Sequence, residues 1–95
     1  MAIASFRDAR LRAVLDGEAP DRSLPPSLVR VLQRKLEYLA SAATLADLRS
    51  PPGNRLEALK GDRRGQHSIR VNDQHRLCFT WTDDGVQDLE LVDYH

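Results

Sequence analysis

The residues whose types suit chemistry lie in the second half of the chain, between Glu57 and the terminal His95. Cleavage of RNA by attack of a 2′-hydroxyl on the adjacent phosphate requires a base, cations that bind the phosphate and an acid for the leaving 5′-oxygen. Side chains can supply all three without a metal. Glu57 is the candidate base and His95 the candidate acid. Lys60 and Arg76 are candidate phosphate-binding cations, and Tyr94 offers a ring on which a base can stack.

Each of these residues also has an ordinary explanation. Single charged residues on strands and loops are usually solvated. A terminal histidine titrates near neutral pH, which suits acid–base work, but usually belongs to a frayed chain end. Asp93 either orients His95 by a hydrogen bond or only blunts an edge strand with its charge. Spacing alone therefore defines a weak site, and the fold must support it.

Other chemistries fit less well. Cys78 lies near His75 in the chain, but strand alternation puts the two on opposite faces, so we expect Cys78 to be a small, partly buried residue. The histidines and Cys78 lack any recognised metal-ligand spacing, so neither a metal nor a cofactor is expected. The segment Gly61–Gly65 is not a nucleotide-binding fingerprint. It predicts a hairpin-like loop whose Arg63 and Arg64 contact phosphate.

Composition predicts one small soluble domain covering residues 1–95, with 41% hydrophobic and 29% charged residues. No apolar run is long enough for a membrane span or a signal peptide, and the single cysteine suits a reducing cytoplasm. Fourteen basic and fourteen acidic residues cancel, which argues against a protein that coats naked nucleic acid. The segment Arg55–Arg76 is nevertheless locally basic, which permits a phosphate site.

The first half of the chain has helical periodicity. A short edge strand is expected at Met1–Phe6 and a helix at Arg7–Asp16, which Gly17 ends. A second helix begins at Leu24-Pro25-Pro26-Ser27. Its apolar face is formed by Leu28, Leu32, Leu36, Leu39 and Ala43. Leu45 and Leu48 extend the packing before Ser50-Pro51-Pro52-Gly53 breaks the chain.

The second half changes to a period of two, which predicts strands at Gln66–Val71, His75–Trp81 and Val86–Val92. The fold class is therefore α+β, with two N-terminal helices packed on one face of a small antiparallel sheet. Alternation places the apolar residues of the middle strand toward the helices and Arg76 on the opposite face, where a ligand can reach it. The same alternation places His95 on the core side unless a bulge or fraying after Asp93 frees it.

Several motifs, taken together, resemble the HigB branch of the RelE/ParE toxin superfamily. They are Arg55-Leu56-x-x-Leu59-Lys60-Gly61-Asp62-Arg63, Gly65-Gln66-x-Ser68-Ile69-Arg70-Val71-Asn72, Arg76-Leu77 and Asp93-Tyr94-His95. The resemblance implies a small antiparallel sheet with two N-terminal helices, and an endoribonuclease that cleaves mRNA in the ribosomal A site. By motif position Lys60 and Arg76 would stabilise phosphate, and the last three residues would form the terminal catalytic segment.

Two positions depart from that branch. Glu57 stands where HigB-like sequences commonly have histidine, and His67 where they have an aromatic residue. Glu57-Ala58-Leu59-Lys60, Gln74-His75-Arg76-Leu77 and Tyr94-His95 also resemble the YoeB-type toxins, in which a glutamate base, an arginine and a C-terminal histidine are thought to cooperate. Our hypothesis is that Glu57 is the general base and His95 the general acid. The expected substrate contacts are Arg63, Arg64, His67, Arg70, Asp93 and Tyr94.

The resemblance implies a toxin of a type II toxin–antitoxin system that works in the cytoplasm as a ribosome-dependent mRNA interferase. Its partners would be mRNA, the ribosome and a helix-turn-helix antitoxin of the HigA type, with operator DNA contacted only through the toxin–antitoxin complex. No membrane partner is expected. Two alternatives stay open: a relative that inhibits a protein target such as DNA gyrase, and a catalytically decayed module that still binds an antitoxin.

Overall fold

The structure is a computed structural model that describes residues 2–19 and 21–94. Two helices, α1 (Arg10–Leu15) and α2 (Pro26–Ser41), precede four strands. The strands are β1 (Glu57–Ala58), β2 (His67–Arg70), β3 (His75–Thr82) and β4 (Gly85–Asp93). They form one antiparallel sheet in the order β1-β2-β3-β4. The predicted α+β arrangement is therefore confirmed.

Both predicted helices form, with shorter bounds than the periodicity suggests. Helix α1 begins only at Arg10, whose backbone N–H and guanidinium both donate to the carboxylate of Asp8. It ends at Leu15, two residues before Gly17, which has a positive φ of 72°. Helix α2 begins directly after Pro25 and ends at Ser41, because Ala42 turns to an extended conformation. No helix in residues 2–19 or 21–94 has the length and apolar character needed to cross a membrane.

The core lies between the helices and one face of the sheet. Four leucines of α2, at positions 28, 32, 36 and 39, are buried there. They pack in one cluster with Ile69, Leu77 and Phe79, which are fully buried on β2 and β3. Trp81 packs at the edge of this cluster and is partly buried. The prediction that the alternating apolar residues of β3 face the helices is confirmed.

A bulge in β4 determines which of its side chains face the core. Cys78 pairs with Glu90, but Thr80 pairs with Gln87, so β4 contains one extra residue. Asp88 absorbs it with a positive φ of 54°. Val86 and Leu89, three positions apart, are consequently both fully buried. Periodicity alone does not locate this bulge.

The two edges of the sheet differ from the expectation. The N-terminal segment runs parallel to β4 and makes isolated bridges from Ile3 to Val86 and from Phe6 to Leu89. The expected edge strand is thus present only as these bridges, and Met1 lies outside the described residues. The opposite edge is β1, which was not predicted because two residues are too few to show a period. It places Glu57 beside Ser68 and Ala58 beside His67.

Candidate active site on the open face of the sheet

The open face is the side of the sheet that points away from the helices. Residues paired across antiparallel strands project to the same side, so the register gives its rows directly. One row runs across all four strands and consists of Glu57, Ser68, Cys78 and Glu90. The next row contains Arg70, Arg76 and Val92. The prediction that Arg76 faces away from the core is confirmed.

Arg76 is the least exposed of the ion-paired arginines on this face, with a side chain only 14% exposed. Its Nη2 donates to the carbonyl oxygen of Arg55 at 2.6 Å, and its Nη1 lies 3.4 Å from Oε2 of Glu57. Arg55 has a positive φ of 45°, and the turn ahead of β1 aims its carbonyl at the guanidinium. Nε of Arg76 is buried with no hydrogen-bond partner among the described residues. The arginine is therefore oriented by the backbone and placed against the candidate base.

Tyr94 lies over the same region. Its ring centroid is 6.0 Å from Cζ of Arg76, and its hydroxyl is 4.0 Å from Sγ of Cys78. Tyr94 as a whole remains 37% exposed, which leaves a surface for stacking. Burial raises the pKa of Tyr94 and that of Cys78 above their ordinary values. Both groups are thus held in their neutral forms, and Cys78 is fully buried rather than partly buried as expected.

The segment between β1 and β2, here called the 59–66 loop, brings more cations to this face. Nη1 of Arg63 lies 2.7 Å from Oε1 of Glu90 and also donates to Oε1 of Gln66 at 3.2 Å. The contact with the Glu90 carboxylate raises the pKa of Arg63. Lys60 and Arg64 lie in the same loop and are exposed. Glu90 was not among the predicted site residues, because only the register and the bulge place it on this face.

A groove of about 360 Å³ adjoins Arg76. Its lining includes Arg55, Arg70 and Tyr94, and the guanidinium of Arg70 forms an ion pair with Asp73 at its rim. Arginine forks bind phosphate well, and an aromatic ring beside them suits a base. The lining of the groove therefore suits a nucleotide.

Not all predicted site residues meet here. His67 pairs with Phe79 and stacks on its ring at a centroid distance of 6.5 Å, so it points to the helix side. Asp93 pairs with His75 and lines a cavity on that same side, whereas Tyr94 points the other way. The period of two separates these residues from Arg76. His95 lies outside the described residues.

A comparison with protein families identifies the chain. Residues 4–95 match the family described as the RelE-like toxin of the type II toxin–antitoxin system HigB. The chain belongs to the HigB-like toxin family. It is 46% identical over 90 residues to toxin HigB-1 of Vibrio cholerae, covering 95% of this chain and 94% of that protein. It is also 37% identical over 86 residues to an uncharacterized protein of Haemophilus influenzae, covering 90% and 85% of the two chains.

The solved structures support the same fold for this HigB-like toxin. A chain of the YoeB–YefM complex from Staphylococcus aureus superposes with a TM-score of 0.62. That match covers 100% of this chain and 99% of the other at 18% sequence identity. At that identity the similarity concerns the fold alone. The resemblance drawn from the sequence motifs is confirmed for the family.

Proposed function

We propose that this HigB-like toxin cleaves mRNA on the ribosome by attack of a 2′-hydroxyl on the adjacent phosphate, with side chains as the only catalysts. The observation that carries the proposal is the placement of Glu57 and Arg76 side by side on the open face, with the ring of Tyr94 beside Arg76. The carboxylate and the oriented cation match the base and the phosphate-binding cation that this reaction needs, and the ring suits stacking of a nucleotide base.

The Glu57–Arg76 contact supports a defined order of events. In the free protein the carboxylate lies 3.4 Å from Nη1 of Arg76. A phosphate that binds the guanidinium competes with this carboxylate, because both are anions that prefer the same donors. Phosphate binding would therefore release Glu57 to accept the proton of the 2′-hydroxyl. The hydrogen bond from Nη2 of Arg76 to Arg55 would keep the cation in place meanwhile.

Two further groups complete the proposed mechanism. Lys60, exposed in the 59–66 loop, would add a second positive charge against the pentavalent phosphate. His95, which follows Tyr94 in the chain, is proposed as the acid that protonates the leaving 5′-oxygen. The groove lined by Arg55 and Arg70 would hold the neighbouring nucleotide. Arg63 and Arg64 would contact the RNA backbone.

Dependence on the ribosome is part of the proposal. Fourteen basic and fourteen acidic residues give no net charge. Arg63, Arg70 and Arg76 are each already paired with a carboxylate. Long-range attraction to free RNA is therefore weak, and the ribosome would supply the affinity by presenting the message.

A type II toxin has a cognate antitoxin, and we propose that the one for this chain is a helix-turn-helix protein of the HigA type. It would inhibit by blocking the open face or by burying helix faces of the toxin. Contact with operator DNA would come from the complex, since a toxin of zero net charge offers little attraction to duplex phosphate.

The test is primer-extension mapping of cuts in a translated message with ribosomes, beside the same RNA naked. Wild type, Glu57→Gln and His95→Ala would be compared, with Glu37→Gln on the exposed side of α2 as the matched control. We expect cuts at codon-registered positions on ribosomes only, lost in both site variants and retained in Glu37→Gln. Cleavage by Glu57→Gln at the wild-type rate would contradict the role of Glu57 as base. Comparable cleavage of naked RNA would contradict ribosome dependence, and no cleavage by wild type would favour a protein target or a decayed toxin.

A further inference from the structure

The ion pair between Arg63 and Glu90 spans most of the sheet. Arg63 belongs to the loop that connects β1 and β2, whereas Glu90 lies on β4, the strand at the other end of the order. Neighbouring strands are about 4.8 Å apart, so β4 is roughly 10 Å from β2 and roughly 14 Å from β1. The 2.7 Å contact between the two side chains therefore places the Arg63 side chain of the 59–66 loop over the open face.

The burial of two small side chains agrees with this geometry. Ser68 and Cys78 project from the open face, away from the helices, but are only 0% and 1% exposed. Groups other than the helices must therefore cover them. Tyr94 contacts Cys78, and Arg63 is close enough to affect the titration of its thiol. Arg63 of the 59–66 loop and Tyr94 contribute to this cover.

The contacts of Arg63 also explain how the loop keeps its shape. Nη1 bridges Glu90 of the sheet and Gln66 at the end of the loop. Within the loop, the backbone N–H of Arg63 donates to the carbonyl of Lys60 at 3.2 Å. Arg63 thus connects Lys60 to β4 in two steps. A partly exposed ion pair adds little to global stability, but it can determine where a short loop lies.

We propose that Glu90 is a positioning residue, which holds the 59–66 loop over the open face through Arg63 and so sets Lys60 against the reacting phosphate. The catalytic consequence rests on the proposed function. The contact between Arg63 and Glu90, here called the tether, is present in the free protein. Glu90 acts through Arg63 and does not touch the substrate.

Two measurements on the full-length free toxin test the tether without using activity. Cys78 is the single cysteine of the chain, so its reaction with a thiol reagent reports how well the face is covered. Trypsin cleavage after Lys60 and Arg64, followed by mass spectrometry, reports opening of the loop. In Glu90→Gln we expect both rates to rise about two- to fivefold, as for loss of a partly exposed ion pair. Glu37→Gln is the control, and an unchanged melting temperature would show that the variant folds.

The charge-swapped double variant Arg63→Glu/Glu90→Arg separates positioning from a general structural effect. We expect it to restore slow thiol reaction, whereas Glu90→Gln alone reacts fast and lowers kcat on ribosomes more than it changes KM. Wild-type thiol and trypsin rates in Glu90→Gln would overturn the tether, whatever the RNA result. Absence of cleavage by wild type would overturn the proposed function instead, and the two rates would still decide the tether.

Discussion

At the scale of single residues, Arg76 shows how position makes a common side chain useful. Most arginines on strands are solvated, but this one is 14% exposed and holds one fixed acceptor, the Arg55 carbonyl. Its second Nη contacts Glu57, the group that a phosphate would displace. The planar fork of arginine can hold the carbonyl and a phosphate at once in a fixed geometry, which the ammonium of lysine on its flexible stem does not provide.

The substitution Arg76→Lys should therefore lower cleavage on ribosomes by roughly 10- to 100-fold, the effect of losing one oriented cation. The free energy of unfolding should change by less than about 1 kcal/mol, because the ion pair that is lost is partly exposed. Single-turnover rates and urea unfolding would measure the two quantities. Arg30→Lys on the exposed side of α2 is the matched control. Wild-type turnover in Arg76→Lys would contradict the proposed role.

At the scale of elements, helix α2 reaches the site through a buried lysine. Nζ of Lys35 donates to Oδ1 of Asn54 at 2.6 Å, and both residues are buried. The amide of Asn54 in turn donates to the carbonyls of Leu48 and Ser50. This network holds the turn immediately before Arg55, whose carbonyl orients Arg76. The helix layer thereby helps to place a side chain on the opposite face of the sheet.

The buried ammonium gives stability a defined pH dependence. Burial lowers the pKa of Lys35 from its ordinary 10.5, with a smaller contribution from Arg34. Between the lowered pKa and 10.5 the unfolded chain binds more protons than the folded one, so this group makes the free energy of unfolding rise with pH. Below that interval Lys35 is charged in both states, and burying its ammonium lowers the free energy of unfolding by the full amount.

We expect the stability difference between wild type and Lys35→Met to shift in favour of wild type as pH rises through this interval. Urea unfolding of both proteins at neutral and alkaline pH measures the difference, and the comparison cancels other groups such as Cys78 and Tyr94. A constant difference across the interval would show that Lys35 keeps its ordinary pKa in the folded state.

At the scale of the whole molecule, charge pairing predicts how the toxin treats free RNA. The candidate phosphate contacts are Lys60, Arg63, Arg64, Arg70 and Arg76. Five such contacts to single-stranded RNA give a slope of about −3.5 in a plot of log affinity against log salt. We expect that slope or a shallower one, because three of these cations exchange a carboxylate for the phosphate. Fluorescence anisotropy with a short oligonucleotide measures it, and a slope steeper than about −5 would contradict the limited contact set.

The sequence by itself determined the layers of this protein, because local periodicity reports burial. The period of 3.6 in α2 and the period of two in β3 determined the helices, the main strands and the outward direction of Arg76. Composition and motifs determined the family. The two-residue strand β1 lay beyond this reasoning, since it has no period and forms only by pairing with β2.

Only the tertiary structure decided which of the polar residues meet. The row of Glu57, Ser68, Cys78 and Glu90 joins positions that are far apart in the chain, and cross-strand register with a bulge at Asp88 brings them together. The same register removed His67 and Asp93 from the cluster. Nothing local distinguishes Glu90 from a surface glutamate such as Glu37. The difference arises from Arg63 in the loop between β1 and β2, and contacts between segments that are distant in the chain leave no mark on the local pattern.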